Sequence, residues 1–328
     1  MKTFAKSARA KTLAGFFIFL TSCSGFVNKV ATDTTASLAE VGSTAPYSIP
    51  QYDYFTKALP GNILFMESLL ANSPRNSTLF AQLIKAYSSY GFGYGETEMI
   101  KRAQSFQYSE MKNHAQLATL WYAKSVDYGD QWLKSKGTSL KGLIEAGLDL
   151  ETKKSFLDTH FNDSDAPGLF YLGQAWASYL NFNRHRPELV AQLPHAKILI
   201  DYSCQINPDL DFGACGLFKA VYLLSRPKML GGNPVEGEKV LISLMKQYPL
   251  HLLYPLAYMQ YVLVPQDRTS ELKSAQAKVL EQLNIWEKSL YQLPTEKGYA
   301  QKQQDPYRMF HLFNAIASER ASIFKTRK

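Results

Sequence analysis

The stretch APGLFYLGQAWASYL, residues 166–180, decides the fold. Leu169, Leu172, Gly173, Trp176, Tyr179 and Leu180 recur three and four apart, which is one face of an α-helix and not the alternation of a strand. Leu79, Phe80, Leu83, Ile84 and Tyr87 repeat that spacing earlier in the chain. Outward from these two segments, helical periodicity marks residues 58–72, 109–134, 189–206, 212–225, 234–247, 252–263, 267–288 and 306–325. No run of alternating β-branched residues closed by an Asn-Gly or Asp-Gly turn breaks the series. The chain is therefore expected to be all-α. Three stretches stand apart: 135–165, polar and read as a short helix with exposed loops; 290–305, a polar connection; and GSTAPYSIP at 42–50, which reads as extended.

Helix pairs of fixed length would mean a solenoid, and three helices end alike, at Pro74, Pro208 and Pro249. A tetratricopeptide unit places a small residue near the start of its second helix, a large one four on, and a closing proline. Ala196, Ile200 and Ser203 before Pro208 fit that pattern well; Gly237, Leu241 and Leu244 before Pro249 fit in part; Asn62, Met66 and Leu69 before Pro74 fit poorly. Pro208 and Pro249 lie 41 apart, where a regular repeat has about 34, so RPKMLGGNP at 226–234 reads as an insertion between paired helices. The expected fold is a bundle or solenoid of cryptic tetratricopeptide-like pairs over residues 51–328.

Before that body, MKTFAKSARAK is basic and free of acids, and TLAGFFIFL behind it is too short to cross a hydrocarbon layer about 30 Å thick. Leu20-Thr21-Ser22-Cys23 follows, an aliphatic residue, two small ones and a cysteine: the lipobox of a bacterial lipoprotein signal. Residues 1–22 are expected as the signal peptide, Cys23 as the lipid attachment point, and 23–50 as lipidated segment and tether. At about 0.8 kcal/mol per buried CH₂, two or three acyl chains anchor a protein without further help. Ser24 replaces the Asp that retains many lipoproteins in the inner membrane, which leans the expectation to the outer membrane with the body facing the periplasm.

The 328 residues carry 36 Lys and Arg against 28 Asp and Glu. Four of the basic residues fall in the leader, leaving 32 against 28, a charge that gives no reason to expect nucleic acid. Three cysteines exclude a disulfide scaffold. Cys204 and Cys215 flank an expected interhelical turn, and a disulfide or two small thiols fit equally. Chemistry is not legible. The six histidines include no pair three or four apart, so no metal site is expected, and each reads as a surface or capping residue. Gly91-Phe92-Gly93-Tyr94-Gly95 lacks the third glycine of a dinucleotide loop and reads as a helix stop or a flexible lip. Asp209 and Asp211, like Asp163 and Asp165, read as turn and N-cap residues rather than a catalytic pair. No catalytic residue and no cofactor is expected.

Six features in order, the lipobox, LPGNILFMESLLANSPRN (59–76), APGLFYLGQAWASYL (166–180), ELVAQLPHAKILID (188–201), LGGNPVEGEKVLISL (230–244) and YVLVPQDRTSEL (261–272), resemble the TatT family. These are lipoproteins associated with TRAP transporters, tripartite ATP-independent periplasmic carriers. The resemblance runs from Cys23 to about residue 285. It implies a homotrimer, a hydrophobic passage through each protomer, and, as partners, the transporter's substrate-binding protein and a hydrophobic, fatty-acid-like ligand. Tyr87, Tyr90, Phe92 and Tyr94, with Tyr254, Tyr258 and Tyr261, are the candidates to line such a passage, and packing between helices is the competing reading for each. The alternative function is a general tetratricopeptide-like scaffold for protein partners in the cell envelope. A periplasmic hydrolase would need converging titratable groups that the sequence does not offer.

Overall fold

The computed structural model describes residues 28–38, 42–145, 150–291 and 305–326, and among them the regular structure is helical throughout. The lipobox and Cys23 lie outside the described residues. A helix over 28–38 comes first, followed by a 3-10 segment, Gly42–Ser48, in place of the extended run expected there. Then come α1 (Tyr52–Asn72) and α2 (Ser77–Tyr90), which passes without a break through a π-helical segment, Gly91–Glu96, into α3 (Thr97–Gln104). The long α4 (Tyr108–Ser135) leads to α5 (Leu140–Glu145) and α6 (Leu150–His160). The pairs α7 (Ala166–Phe182) with α8 (Leu193–Ile206), and α9 (Ala214–Leu224) with α10 (Pro234–Gln247), pack on each other. Last are α11 (Leu253–Tyr258), continued by a second π-helical segment at Met259–Leu263, α12 (Thr269–Leu290) and α13 (His311–Thr326).

Local chemistry sets these boundaries. Asn76 caps α2 by accepting the Leu79 amide at 2.9 Å, and Asn233 caps α10 by accepting from Glu236, with Pro234 in the first turn where no amide is missed. Asn162 and Asp165 form a capping box ahead of α7. The spacing read in 166–180 is the buried face of α7: Leu169, Leu172, Trp176 and Leu180 are all in the core. At Gly173 an added Cβ would stand 2.8 Å from the Ala196 carbonyl, and at Gly237 one would stand 3.1 Å from that of Ala220. Small residues at these two crossings let backbones approach closely. Ala196, Ile200 and Ser203 are buried, as are Gly237, Leu241 and Leu244, whereas Asn62 is exposed.

Two large apolar clusters result, with a third, small one of Ala118, Tyr122 and Ala175. The first joins α1, α2, α4, α7 and α8, and the second joins α10, α11, α12 and α13 with Tyr52 and Phe55 of α1. The polar stretch 135–165 carries more than loops, since Leu143, Leu157 and Phe161 are buried and α5 and α6 cover the first cluster. Residues ahead of α1 also enter the body: Ala36 and Tyr47 are buried, and Asp33 accepts from Ser73 Oγ at 2.8 Å and Asn76 Nδ2 at 2.6 Å.

Candidate functional site

Two places in the fold gather unusual chemistry. The first surrounds the π segment GFGYGE. Its three glycines each face a different wall: a Cβ at Gly91 would stand 2.9 Å from the Tyr122 ring, one at Gly93 2.8 Å from that of Phe55, and one at Gly95 2.8 Å from the Ala118 Cα. Glycine is needed here because neighbouring helices press against the backbone, and the segment is neither a helix stop nor a flexible lip. A π turn also frees backbone carbonyls, and such turns are frequent at functional sites. Arg320 of α13 takes up one of them, donating Nη2 to the Phe92 carbonyl at 2.8 Å and Nε to Thr97 Oγ1 at 3.0 Å, with its guanidinium 4.2 Å from the Phe92 ring centroid.

On the same segment, Glu96 accepts the Tyr122 hydroxyl at 2.6 Å. Burial pushes the Glu96 carboxyl above the ordinary carboxylate range, against the opposing pull of Arg320 and the Tyr122 hydrogen bond. Tyr261, in the second π segment, lies in the field of both charges, and burial followed by Glu96 lifts its hydroxyl to about 12. Two π segments thus meet one guanidinium and one carboxyl.

The second place is a groove of about 780 Å³ between α8 and α9, floored in part by Leu157 of α6 and lined by Ile198, Phe218, Tyr222 and Leu223. Cys204 and Cys215 face it and are joined in a disulfide with Cα atoms 5.8 Å apart. Its polar residues include the ion pair Lys197–Asp201. Tyr222 carries the Lys197 ammonium 5.4 Å and the Arg226 guanidinium 4.7 Å from its ring centroid. The volume falls in the range of small-ligand pockets, roughly 300–1,000 Å³.

The seven aromatic residues singled out in the sequence are spread over four environments, and none is in the lining of that groove. Tyr87 stacks on Trp121 and Tyr128 of α4, where Glu67 accepts the hydroxyls of Tyr87 at 2.6 Å and Tyr128 at 2.7 Å, while Tyr90 stacks on Tyr94 and meets Trp121 edge-on. Tyr254 is buried against His251, ring centroids 4.1 Å apart, and donates to the Phe212 carbonyl. Tyr258 donates to Glu238 at 3.0 Å beside Arg268. Phe92 carries the Arg320 guanidinium on its ring, and Tyr261 lies in the field of Glu96 and Arg320.

Other residues depart from their sequence reading. Asp211 is no helix cap: it accepts hydroxyls from both Tyr47 and Tyr171 and sits 3.7 Å from the half-buried Lys85 ammonium. Burial pulls the Lys85 pKa down, with Asp211 acting in opposition. This hub ties the 42–48 segment, α2, α7 and the α8–α9 turn together. His195, His251 and His311 are buried rather than at the surface; His311 bridges Asp305 at 2.7 Å and the Trp286 indole at 3.0 Å. Among the described residues no cluster of metal-ligating side chains forms, and no helix is long and apolar enough to cross a membrane. Glu96, Arg320 and Asp211 carry no local motif; the closest signal was the spacing of glycines at 91, 93 and 95.

The family described as TAtT, the TRAP transporter T-component, matches residues 53–291. No curated protein matches the chain.

Proposed function

The chain belongs to the family of TRAP transporter T-components, and from that premise we propose that it is a noncatalytic lipoprotein serving a TRAP transporter from the periplasmic side. In this reading Cys23 carries the acyl anchor, the helical body binds or relays a hydrophobic ligand, and the transporter's substrate-binding protein docks on it. The family implies a trimer of such bodies. The observation that carries the proposal is the extent of the match, which runs from α1 through α12 and takes in both π segments and most of the two large apolar clusters.

The physical need for such a component is plain. A chain of some 14 methylenes costs on the order of 11 kcal/mol to expose to water, and a sheltered route between membrane and carrier removes that cost. Half-buried aromatic side chains such as Phe92 and Tyr261 suit the task, because they combine apolar area with rigid geometry. The α8–α9 groove supports a second reading, a tetratricopeptide-like scaffold that takes an extended protein segment.

The test starts from the full-length lipoprotein extracted from its own membrane. Chemical crosslinking is expected to capture the substrate-binding protein, and solvent extraction is expected to release an apolar compound in stoichiometric amount. Cys23→Ser is expected to move the protein from the membrane to the soluble envelope fraction. A preparation without apolar cargo that captures only unrelated peptides in the groove would favour the scaffold instead.

A further inference from the structure

The groove between α8 and α9 is a built feature of the fold. Leu157 and Ile200 are buried in its lining, whereas Ile198, Phe218, Tyr222 and Leu223 are only half-buried around it. The Cys204–Cys215 disulfide joins the two helices, so the spacing of the walls is held before anything enters. Preformed walls spare part of the ordering cost of binding. The insertion RPKMLGGNP reaches the groove at Gly231 and carries Met229 and Leu230, 89% and 55% exposed. Apolar surface that is left open to water, and that continues from a groove onto the neighbouring loop, marks a place of contact with another molecule. A small molecule filling the groove would leave the loop uncovered, whereas a length of polypeptide covers both.

The charge of that polypeptide follows from the rim. Lys154, Lys197 and Lys219 line the groove against a single carboxylate, Asp201, which is already paired with Lys197. Asp158, one turn from Lys154 in α6, is engaged by the Tyr202 hydroxyl. Glu236 lies 3.7 Å from Lys219 in a pair exposed at both ends, a contact worth little in water and open to exchange. Arg226 gives Nε to the Leu230 carbonyl at 2.8 Å and rests its guanidinium on Tyr222, with no carboxylate partner among the described residues. A cationic rim around an apolar trough attracts acidic sequence and disfavours basic sequence. We propose that the groove docks an acidic segment of a protein partner, its Asp and Glu side chains meeting Lys154, Lys219 and Arg226 and its apolar side chains lying between α8 and α9 and against the 226–234 loop. The inference rests on the reading that a protein docks on this body, and it adds the place and the chemistry of the segment that docks; it is independent of any apolar cargo.

A random decapeptide library displayed on phage is selected on the detergent-solubilised full-length protein, and the most enriched peptide is synthesised with a fluorescein label for anisotropy titration. Enriched sequences are expected to interleave Asp and Glu with Leu, Phe and Trp. Lys154→Glu combined with Lys219→Glu is expected to weaken the labelled peptide about tenfold. Lys57→Glu combined with Lys141→Glu reverses the same charge at exposed positions outside the groove and is expected to change it little. Raising salt from about 50 to about 300 mM should weaken binding to the unaltered protein more than to the Lys154 and Lys219 variant. Phe218→Ala is expected to weaken binding without altering that salt dependence. Enriched peptides of neutral or basic sequence that still respond to Phe218→Ala overturn the acidic partner and leave the groove as a docking surface. A library that yields no peptide, or peptides indifferent to every groove variant, overturns the docking surface and the proposal with it.

Discussion

Asp211 joins three segments far apart in the chain. It accepts two tyrosine hydroxyls from separate segments and pairs with a lysine half-buried among aromatic rings, from a backbone position at φ 44°. Removing its charge strands Lys85, so Asp211→Asn is expected to cost about 3–5 kcal/mol in urea unfolding, and Lys85→Met in the same chain to recover much of it. Local sequence could not show this, since Tyr47, Lys85, Tyr171 and Asp211 are brought together only by the tertiary fold; an Asp after Asn207-Pro208 looks like any turn residue. His251 is the second case. It is buried between the rings of Tyr254 and Phe313, with Nδ1 unpartnered, and burial lowers its pKa from 6.5 to about 3. The unfolded chain therefore binds this proton before the native state does. Its contribution is whole above pH 6.5 and falls by about 1.4 kcal/mol per pH unit as the pH drops from there towards 3. Urea midpoints measured across that range should decline less in His251→Phe than in the unaltered protein.

At the scale of elements, periodicity was a reliable guide and punctuation was not. The 3.6-residue pattern of 77–87 and 166–180 needs only the adjacent chain to be read, and both segments are buried helix faces. Alternating glycines usually end helices, but GFGYG continues one as a π-helical segment. Here the neighbouring helices complete the environment, and the glycines remove side chains from contacts with Tyr122, Phe55 and Ala118. The polar stretch 135–165 misled in the opposite sense, since a few apolar residues such as Leu143 and Leu157 are enough to dock two short helices. Two glycines separate the alternatives experimentally. Gly95→Ala sets a methyl 2.8 Å from the Ala118 backbone, which cannot rotate away, and is expected to destabilise by about 1–3 kcal/mol. Gly61→Ala, with open space around its Cβ within α1, is expected to stabilise by about 0.5–1 kcal/mol. Thermal melts of the two variants should move in opposite directions.

At the scale of the whole molecule, the two large apolar clusters must act as one body. The Cys204–Cys215 disulfide ties α8, in the first cluster, to α9, whose Ala220 belongs to the second. The bridge closes a short loop, with a sequence separation of 11, so Cys215→Ser is expected to cost about 2–3 kcal/mol. Reductant should lower the melting temperature of the unaltered protein and leave the variant where it is. The pinning of the 28–38 helix has a wider consequence. Asp33, held at a pKa of about 2 chiefly by Lys29 and then by Asn76 and Ser73, fastens that helix to the body at the α1–α2 turn. Only five peptide links separate Cys23 from residue 28, a reach of at most about 18 Å even when drawn straight. An acylated Cys23 would therefore give the body a short leash: it would ride just above the lipid head groups, and any soluble carrier it serves would have to come down to the membrane to meet it.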